Sequence, residues 1–116
     1  MNQGKFMKAR EYLLEILSLA QKISGYEYDL RIFLYGMAGV ALGVGRLIQA
    51  ARLLGAVEAQ FESFFKPMDP WDQTEFDRIA GEVRRQMEDE TFKSAWSAGR
   101  LLTLEQAIEE TRQVAP

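Results

Sequence analysis

The chain has 116 residues, of which 47% are hydrophobic and 27% are charged, and its net charge is −3. This length and composition suit one globular domain with a buried core and argue against disorder. The chain contains neither cysteine nor histidine, so it lacks thiol nucleophiles, thiolate metal ligands and the commonest general base. We therefore predict no catalytic, cofactor-binding or metal-binding residues.

The charges are unevenly distributed along the chain. Residues 1–58 hold seven bases and five acids, whereas residues 59–116 hold seven bases and twelve acids. A nucleic-acid surface needs a basic stripe, so we predict no direct contact with DNA or RNA. The longest uncharged stretch, residues 32–45, is shorter than the roughly 20 residues that span a bilayer. The N-terminus lacks the pattern of a signal peptide, and we predict a cytoplasmic protein without a membrane span.

The first helix is predicted from Phe6 to Ile23, because apolar residues follow the three-four spacing of one helical face. These residues are Phe6, Ala9, Leu13, Ile16, Ala20 and Ile23. Tyr12, Leu14 and Leu17 widen the apolar stripe, which predicts a contact on a second side of the helix. Gly25 is expected to end the helix, since glycine favours the left-handed conformation found beyond helix ends.

The second helix, residues 28–43, contains three glycines at positions 36, 39 and 43. Each interior glycine costs about 1 kcal/mol relative to alanine, so three of them predict a compensating close approach between helices. A role in dimerisation or in approach to a ligand is the alternative interpretation.

The third helix is predicted from Arg46 to about Phe65. Its apolar face consists of Leu47, Ala50, Leu54, Val57, Phe61 and Phe64. Pro67 and Pro70 stop it, because proline lacks an amide proton and disfavours a helical residue before it. Asp69 and Pro70 also predict the start of a fourth helix as N-cap and first helical residue. The face of that helix comprises Phe76, Ile79, Ala80, Val83 and Met87.

Two short helices are predicted to complete the chain. The acidic residues 88–90 mark the start of a fifth helix, which carries Phe92 and Trp96 and which Gly99 is expected to stop with a left-handed turn. Thr103 and Gln106 fit a capping box at the start of a sixth helix. Its predicted face is Leu104, Ala107, Ile108 and Thr111. Strand-like alternation does not occur in the sequence, and we predict an all-α fold.

A short pattern occurs twice in the first half of the chain: residues 4–9 and 45–50 share glycine, a base, a bulky apolar residue and alanine at matching positions. Repeats with a period of 20 to 50 residues are typical of helical solenoids. We therefore expect one domain, residues 1–116, in which antiparallel helical hairpins over residues 1–66 precede C-terminal capping helices over residues 67–116. Two repeats are fewer than a solenoid usually needs, so the chain is expected to be a fragment of a longer protein.

The repeated units resemble tetratricopeptide repeats, with Gly4 and Gly45 in the place of the glycine between paired helices. Residues 50–59 and 92–107 are similar to the closing segment of the tetratricopeptide-like region in large bacterial ATPase-containing regulators. Those regulators carry LuxR-type or winged-helix DNA-binding output domains, and class III nucleotide cyclases share the region. The resemblance implies a non-catalytic scaffold that mediates protein–protein interaction or signal relay in a bacterial transcriptional or signalling regulator.

The predicted partners are another protein or other domains of the same parent chain, together with a homodimer formed through the first helix. The alternative is a small-molecule effector sensor with an aromatic cleft between the helices. That cleft would use Tyr12, Tyr26, Tyr28, Tyr35 and Trp71. Carboxylate pairs such as Glu58 and Glu62 share a helix face, but this spacing is typical of solvated surfaces, and we predict no enzyme.

Arg100 is the one residue of the closing segment whose type packing does not explain. We predict that it donates to helix-end carbonyls or to an acid such as Glu105, with contact to a partner as the alternative. The candidate partner or ligand contacts are therefore Tyr12, Tyr35, Trp71 and Arg100.

Overall fold

The computed structural model describes residues 3–20, 22, 27–63 and 67–114. Within them the chain forms six α-helices and no β-strand, which confirms the predicted all-α class for this part of the chain. The helices are α1 (Gln3–Ala20), α2 (Glu27–Gly43), α3 (Leu47–Glu62), α4 (Pro70–Gln86), α5 (Asp89–Arg100) and α6 (Leu104–Thr111). The predicted helix ends at Gly25 and Phe65 lie outside the described residues. No helix of the described ranges is long and apolar enough to cross a membrane.

α3 lies at the centre of the fold. It contacts α2, α4, α5 and α6, most extensively α5, so its apolar residues are covered on more than one side. Residues 50, 51, 53, 54, 56 and 57 are completely buried. The helices predicted to form a C-terminal cap contribute Phe76, Val83 and Ala107 to the same core cluster as α2 and α3. A single core therefore unites the two predicted segments.

The turn between α2 and α3 explains one of the two repeated glycines. Gly45 has φ of 85°, the left-handed conformation that glycine adopts at low cost. Its amide donates to the carbonyl of Leu42, and the amide of Arg46 donates to that of Ala41 at 2.8 Å, which is the Schellman arrangement. Gly4, in contrast, lies in the first turn of α1, so the two glycines occupy different structural positions.

α3 and α5 cross with their backbones in contact. A Cβ atom on Gly55 would overlap the carbonyl oxygen of Trp96, and one on Gly99 would overlap the carbonyl oxygen of Arg52. The prediction that Gly99 stops the fifth helix in a left-handed turn is wrong: Gly99 lies within α5, and Leu101 caps the helix with a right-handed φ of −87°. Gly99 is required because the neighbouring helix leaves no room for a side chain.

The face that α1 turns towards the core differs from the predicted one. Leu17 is buried, and Phe6, Met7, Leu13 and Leu14 are partly buried against the core. Ala9, predicted to face inward, is exposed. The inner face is thus rotated about the helix axis relative to the predicted stripe, because α2 covers one side of an α1 that is apolar on two.

A buried cation also lies in the interior. Arg31 on α2 is only 3% exposed, and its guanidinium carbon lies 4.7 Å from the centroid of the Phe61 ring. The attraction between a cation and the face of an aromatic ring offsets part of the cost of removing Arg31 from water.

The capping box at the start of α6 is confirmed. The amide of Gln106 donates to Thr103 Oγ1 at 3.1 Å, and the amide of Thr103 donates to Gln106 Oε1 at 2.9 Å. These two bonds satisfy amides that the helix itself leaves without partners. The start of α4 also follows the prediction, with Asp69 as N-cap and proline at the first position.

We expect Thr103→Ala to lower the free energy of unfolding by about 1 kcal/mol, because the alanine side chain cannot accept from the Gln106 amide. Urea unfolding followed by far-UV circular dichroism measures the change. Thr74→Ala is the matched control, since Thr74 is exposed inside α4 and bonds only the carbonyl of Pro70 one turn earlier among the contacts observed. An equal loss in both variants would contradict the capping role.

Candidate functional site

α1 is seated on α2 through small residues of α2. A Cβ atom on Gly43 would overlap the ring of Phe6, and one on Gly36 would lie 3.2 Å from Cδ2 of Leu13. The pairing of an early α1 residue with a late α2 residue shows that the two helices are antiparallel. Gly36 and Gly43 therefore admit side chains of α1, and Gly39 lies against Ile79 of α4; this close packing offsets the cost of the glycines in helix propensity.

The C-terminal turn holds the same helix from another side. Arg10 Nη2 donates to the carbonyl oxygen of Arg112 at 2.9 Å, and Val114, which follows that turn, is completely buried. α1 is thus held both by α2 and by the turn after α6, and its orientation is set by packing within the protein.

The opposite face of α1 points into solvent and is apolar. Tyr12 is 65% exposed and Leu19 is 62% exposed, while Ala9 is exposed and Ile16 partly so. Spacings of three and four residues place these four side chains in one stripe; we call Ala9, Tyr12, Ile16 and Leu19 the outer stripe. An apolar stripe of this kind is typical of a helix that faces another macromolecule.

Charged residues border the outer stripe. Lys8, Glu11 and Glu15 are all exposed, and none of the three forms an ion pair with another described residue. Glu11 and Glu15 stand four residues apart, where like charges repel. The border of the stripe therefore carries exposed charges that form no ion pair within the described part of the chain.

Of the four predicted contact residues, Tyr12 alone lies on this surface. Tyr35 is buried on α2, where its hydroxyl donates to Asp72 Oδ1 on α4 at 2.7 Å. Trp71, the neighbour of Asp72, is 74% exposed at the start of α4. Tyr26 and the side chain of Tyr28 lie outside the described residues. The structure thus gives Tyr35 a role in joining α2 to α4.

Arg100 joins α5 to α3. Its guanidinium donates to Glu58 Oε1 at 2.5 Å and also to Glu62, and Trp96 Nε1 donates to the same Glu58 oxygen at 2.9 Å. The hydrogen bond to Glu62, followed by that to Glu58, raises the pKa of Arg100, and the bond from Arg100 lowers the pKa of Glu62. The predicted acidic partner is correct in kind, but Glu58 and Glu62 replace the predicted Glu105.

Open grooves also lie on other faces of the described part of the protein. One of about 430 Å³ between α4 and α5 is lined by Phe92, Trp96, Arg84 and Lys93, among others. Both of its cations pair with Asp89, Arg84 at 3.3 Å and Lys93 at 2.9 Å. The lowered pKa of Asp89, caused first by Lys93, is consistent with this pairing.

The larger groove, of about 730 Å³, runs beside the start of α3 and includes Arg46, Ile48 and Arg52. Arg52 Nε donates to Glu110 Oε1 at 2.6 Å, and this bond raises the pKa of Arg52. Tyr12, Tyr35, Trp71 and Arg100 line neither groove. In the residues that the structure describes, no cluster of three or more acidic side chains is placed to hold a metal ion.

Comparison with known proteins gives no further assignment: no protein-family model, no curated protein and no solved structure matches this chain.

Proposed function

We propose that this chain is a non-catalytic helical interaction module that binds a partner protein, or another domain of its parent protein, through the outer stripe of α1. The observation that carries the proposal is the exposure of Tyr12 and Leu19 on one face, 65% and 62%. Burial of apolar surface contributes about 25 cal/mol per Å². Covering two large side chains and their neighbours therefore favours association.

The way α1 is held adds to this argument. Phe6 fits against Gly43, Leu13 against Gly36, and Arg10 bonds the carbonyl of Arg112. A surface fixed in this way before it meets its partner loses little conformational entropy on binding. The outer stripe thus has the rigidity that a docking surface requires.

We also propose that the chain is part of a tetratricopeptide-like array in a bacterial regulator. α1 packs antiparallel on α2, and α2 in turn contacts α3, as a tetratricopeptide-like array would require. In such an array α1 would receive the next helical unit or a partner protein and relay its binding to the rest of a transcriptional or signalling regulator.

Sensing of a small molecule is the alternative function. Of the rings proposed for an aromatic cleft, three are described: Tyr35 is buried against α4, while Tyr12 and Trp71 are exposed on different helices. A sensing role would therefore use the larger groove beside the start of α3, with the Arg52–Glu110 pair at its wall.

Site-directed photocrosslinking tests the interaction module. We replace Tyr12 with p-benzoylphenylalanine, express the chain in bacteria, and irradiate the cells. We expect covalent adducts of defined mass from position 12, because a partner covers the stripe, and we expect Leu19→Lys in the same chain to abolish them. Mass spectrometry identifies the adduct, and the purified partner is then titrated against the chain by fluorescence anisotropy.

The matched control carries the same crosslinker at Gln86, which is exposed at the end of α4. Absence of adducts from position 12, or the same adducts from positions 12 and 86, would contradict the interaction role of the outer stripe.

A further inference from the structure

We propose that a second copy of this chain occupies the outer stripe, with the two α1 helices packed antiparallel about a twofold axis near Tyr12. This inference rests on the proposed function, namely that the stripe is a contact surface, and adds the identity and orientation of the occupant. An antiparallel pair of identical helices is a self-complementary interface, the commonest kind in soluble oligomers.

The charges at the border of the stripe indicate the orientation. In an antiparallel pair centred on Tyr12, residues whose numbers sum to about 24 face each other. Lys8 then lies beside Glu15 of the second copy, and the twofold axis produces this pair twice. A parallel pair would instead turn this flank of one helix away from the same flank of its copy, so that Lys8 and Glu15 would not meet.

The same pairing resolves the repulsion within each helix. Glu11 and Glu15 lie one turn apart, and neither forms an ion pair among the described residues. Lys8 of the second copy would place a positive charge next to Glu15. The exposed charges Lys8 and Glu15, which form no ion pair in the single chain, therefore complement those of its copy.

The apolar side chains fit this register as well. Tyr12 meets its copy at the axis, where aromatic rings pack edge to face or offset. Ile16 and Leu19 come to lie beside the aliphatic stems of Lys8 and Lys5 of the second copy, which cover apolar surface. An interface made by one helix of 18 residues per copy is small, so we expect a dissociation constant of about 1 to 100 μM.

Disulfide trapping tests the orientation. The natural chain has no cysteine, so Lys5→Cys and Leu19→Cys each introduce a single thiol. Equal amounts of the two purified variants are mixed and oxidised under mild conditions. We expect the mixed 5–19 disulfide to predominate over the 5–5 and 19–19 products by about tenfold, because only positions 5 and 19 meet in the antiparallel pair. Predominance of 5–5 and 19–19 would overturn the orientation.

Sedimentation equilibrium of charge variants tests whether a second copy of the chain occupies the outer stripe. We expect Lys8→Glu and Glu15→Lys each to raise the dissociation constant about fivefold or more, since each makes two symmetry-related pairs repulsive. An equimolar mixture of the two variants should regain the affinity of the natural chain, because positions 8 and 15 of the mixed dimer again carry opposite charges wherever they meet. Circular dichroism confirms that both variants are folded.

The inference is overturned if the natural chain remains monomeric at 0.5 mM, well above the expected constant of about 1 to 100 μM. If the chain is monomeric and position 12 still forms an adduct with a different protein, the proposal that a second copy occupies the stripe is wrong, while the interaction role of the stripe remains. Failure of position 12 to yield any adduct in cells would overturn the interaction role itself.

Discussion

Gly99→Ala is expected to lower the free energy of unfolding by about 3 kcal/mol or more. The added Cβ atom would overlap the carbonyl oxygen of Arg52, and that oxygen belongs to the backbone of α3, so it cannot move aside as a flexible side chain could. Relief of the overlap requires a shift of α3 against α5 and a loss of packing along the most extensive helix contact in the fold. We expect Gly55→Ala to behave similarly, because its Cβ atom would overlap the carbonyl oxygen of Trp96.

Gly81→Ala is the matched control for both variants. Gly81 is exposed within α4, and a Cβ atom there would meet no atom within 4 Å. This change should stabilise the protein by about 0.5 to 1 kcal/mol through helix propensity. Urea unfolding of the three variants measures the differences. A Gly99→Ala protein as stable as Gly81→Ala would contradict the contact between the α3 and α5 backbones.

Trp96→Ala is expected to cost about 3 to 5 kcal/mol, a large part of the roughly 5 to 15 kcal/mol that stabilises a typical domain. The Trp96 ring packs edge-on to Phe76 at a centroid distance of 5.9 Å and against Phe92 at 5.3 Å. Its Nε1 also donates to Glu58. Truncation would remove these ring contacts, widen the groove that the partly buried Trp96 lines, and leave Glu58 with one hydrogen-bond donor fewer.

Trp96→Phe separates these two contributions. Phenylalanine retains most of the ring contacts but cannot donate to Glu58, so we expect a loss of about 1 to 2 kcal/mol. Denaturant unfolding of both variants provides the comparison. A cost below about 1 kcal/mol for Trp96→Ala would show that the ring does not anchor α5, and would make the groove beside it a candidate contact surface.

The parts of the fold that depend on neighbouring residues in the chain could be predicted from the sequence. The capping box at Thr103 and the proline at the start of α4 use bonds or restrictions within a few residues, and both are found where expected. The inner faces of α4 and α6 were also predicted, since each helix has a single apolar side. Phe76, Ile79 and Val83 are buried on α4, as are Ala107, Ile108 and Thr111 on α6.

The parts that depend on distant residues could not be derived in this way. α1 is apolar on two sides, so its sequence alone did not decide which side would face α2, and the exposure of Ala9 followed from that choice. The crossing at Gly55 and Gly99 joins positions on different helices, although the small residues around each glycine were a signal of close approach. The acids that Arg100 contacts are likewise set by how α5 lies on α3.

Of the residues predicted to contact a partner, Tyr12 lies on the outer stripe and Tyr35 does not. Tyr12, Leu14 and Leu17 were expected to widen the apolar stripe towards a second contact; Tyr12 is exposed, whereas Leu14 and Leu17 pack against the core. Tyr35 was proposed as a contact residue because of its type, yet its hydroxyl bonds Asp72 inside the protein. Residue type suggests a contact, whereas the neighbours that a side chain meets determine whether it is available.

The rate of thiol labelling on α1 tests most directly whether a second molecule covers the outer stripe. Ala9→Cys places a small thiol on the stripe, and Ser94→Cys places one at an exposed position of α5. Each variant reacts with a maleimide at low concentration, with and without a large excess of the natural, cysteine-free chain. We expect the excess to slow labelling at position 9 severalfold and to leave position 94 unchanged. Equal labelling rates at position 9 with and without the natural chain would contradict the account.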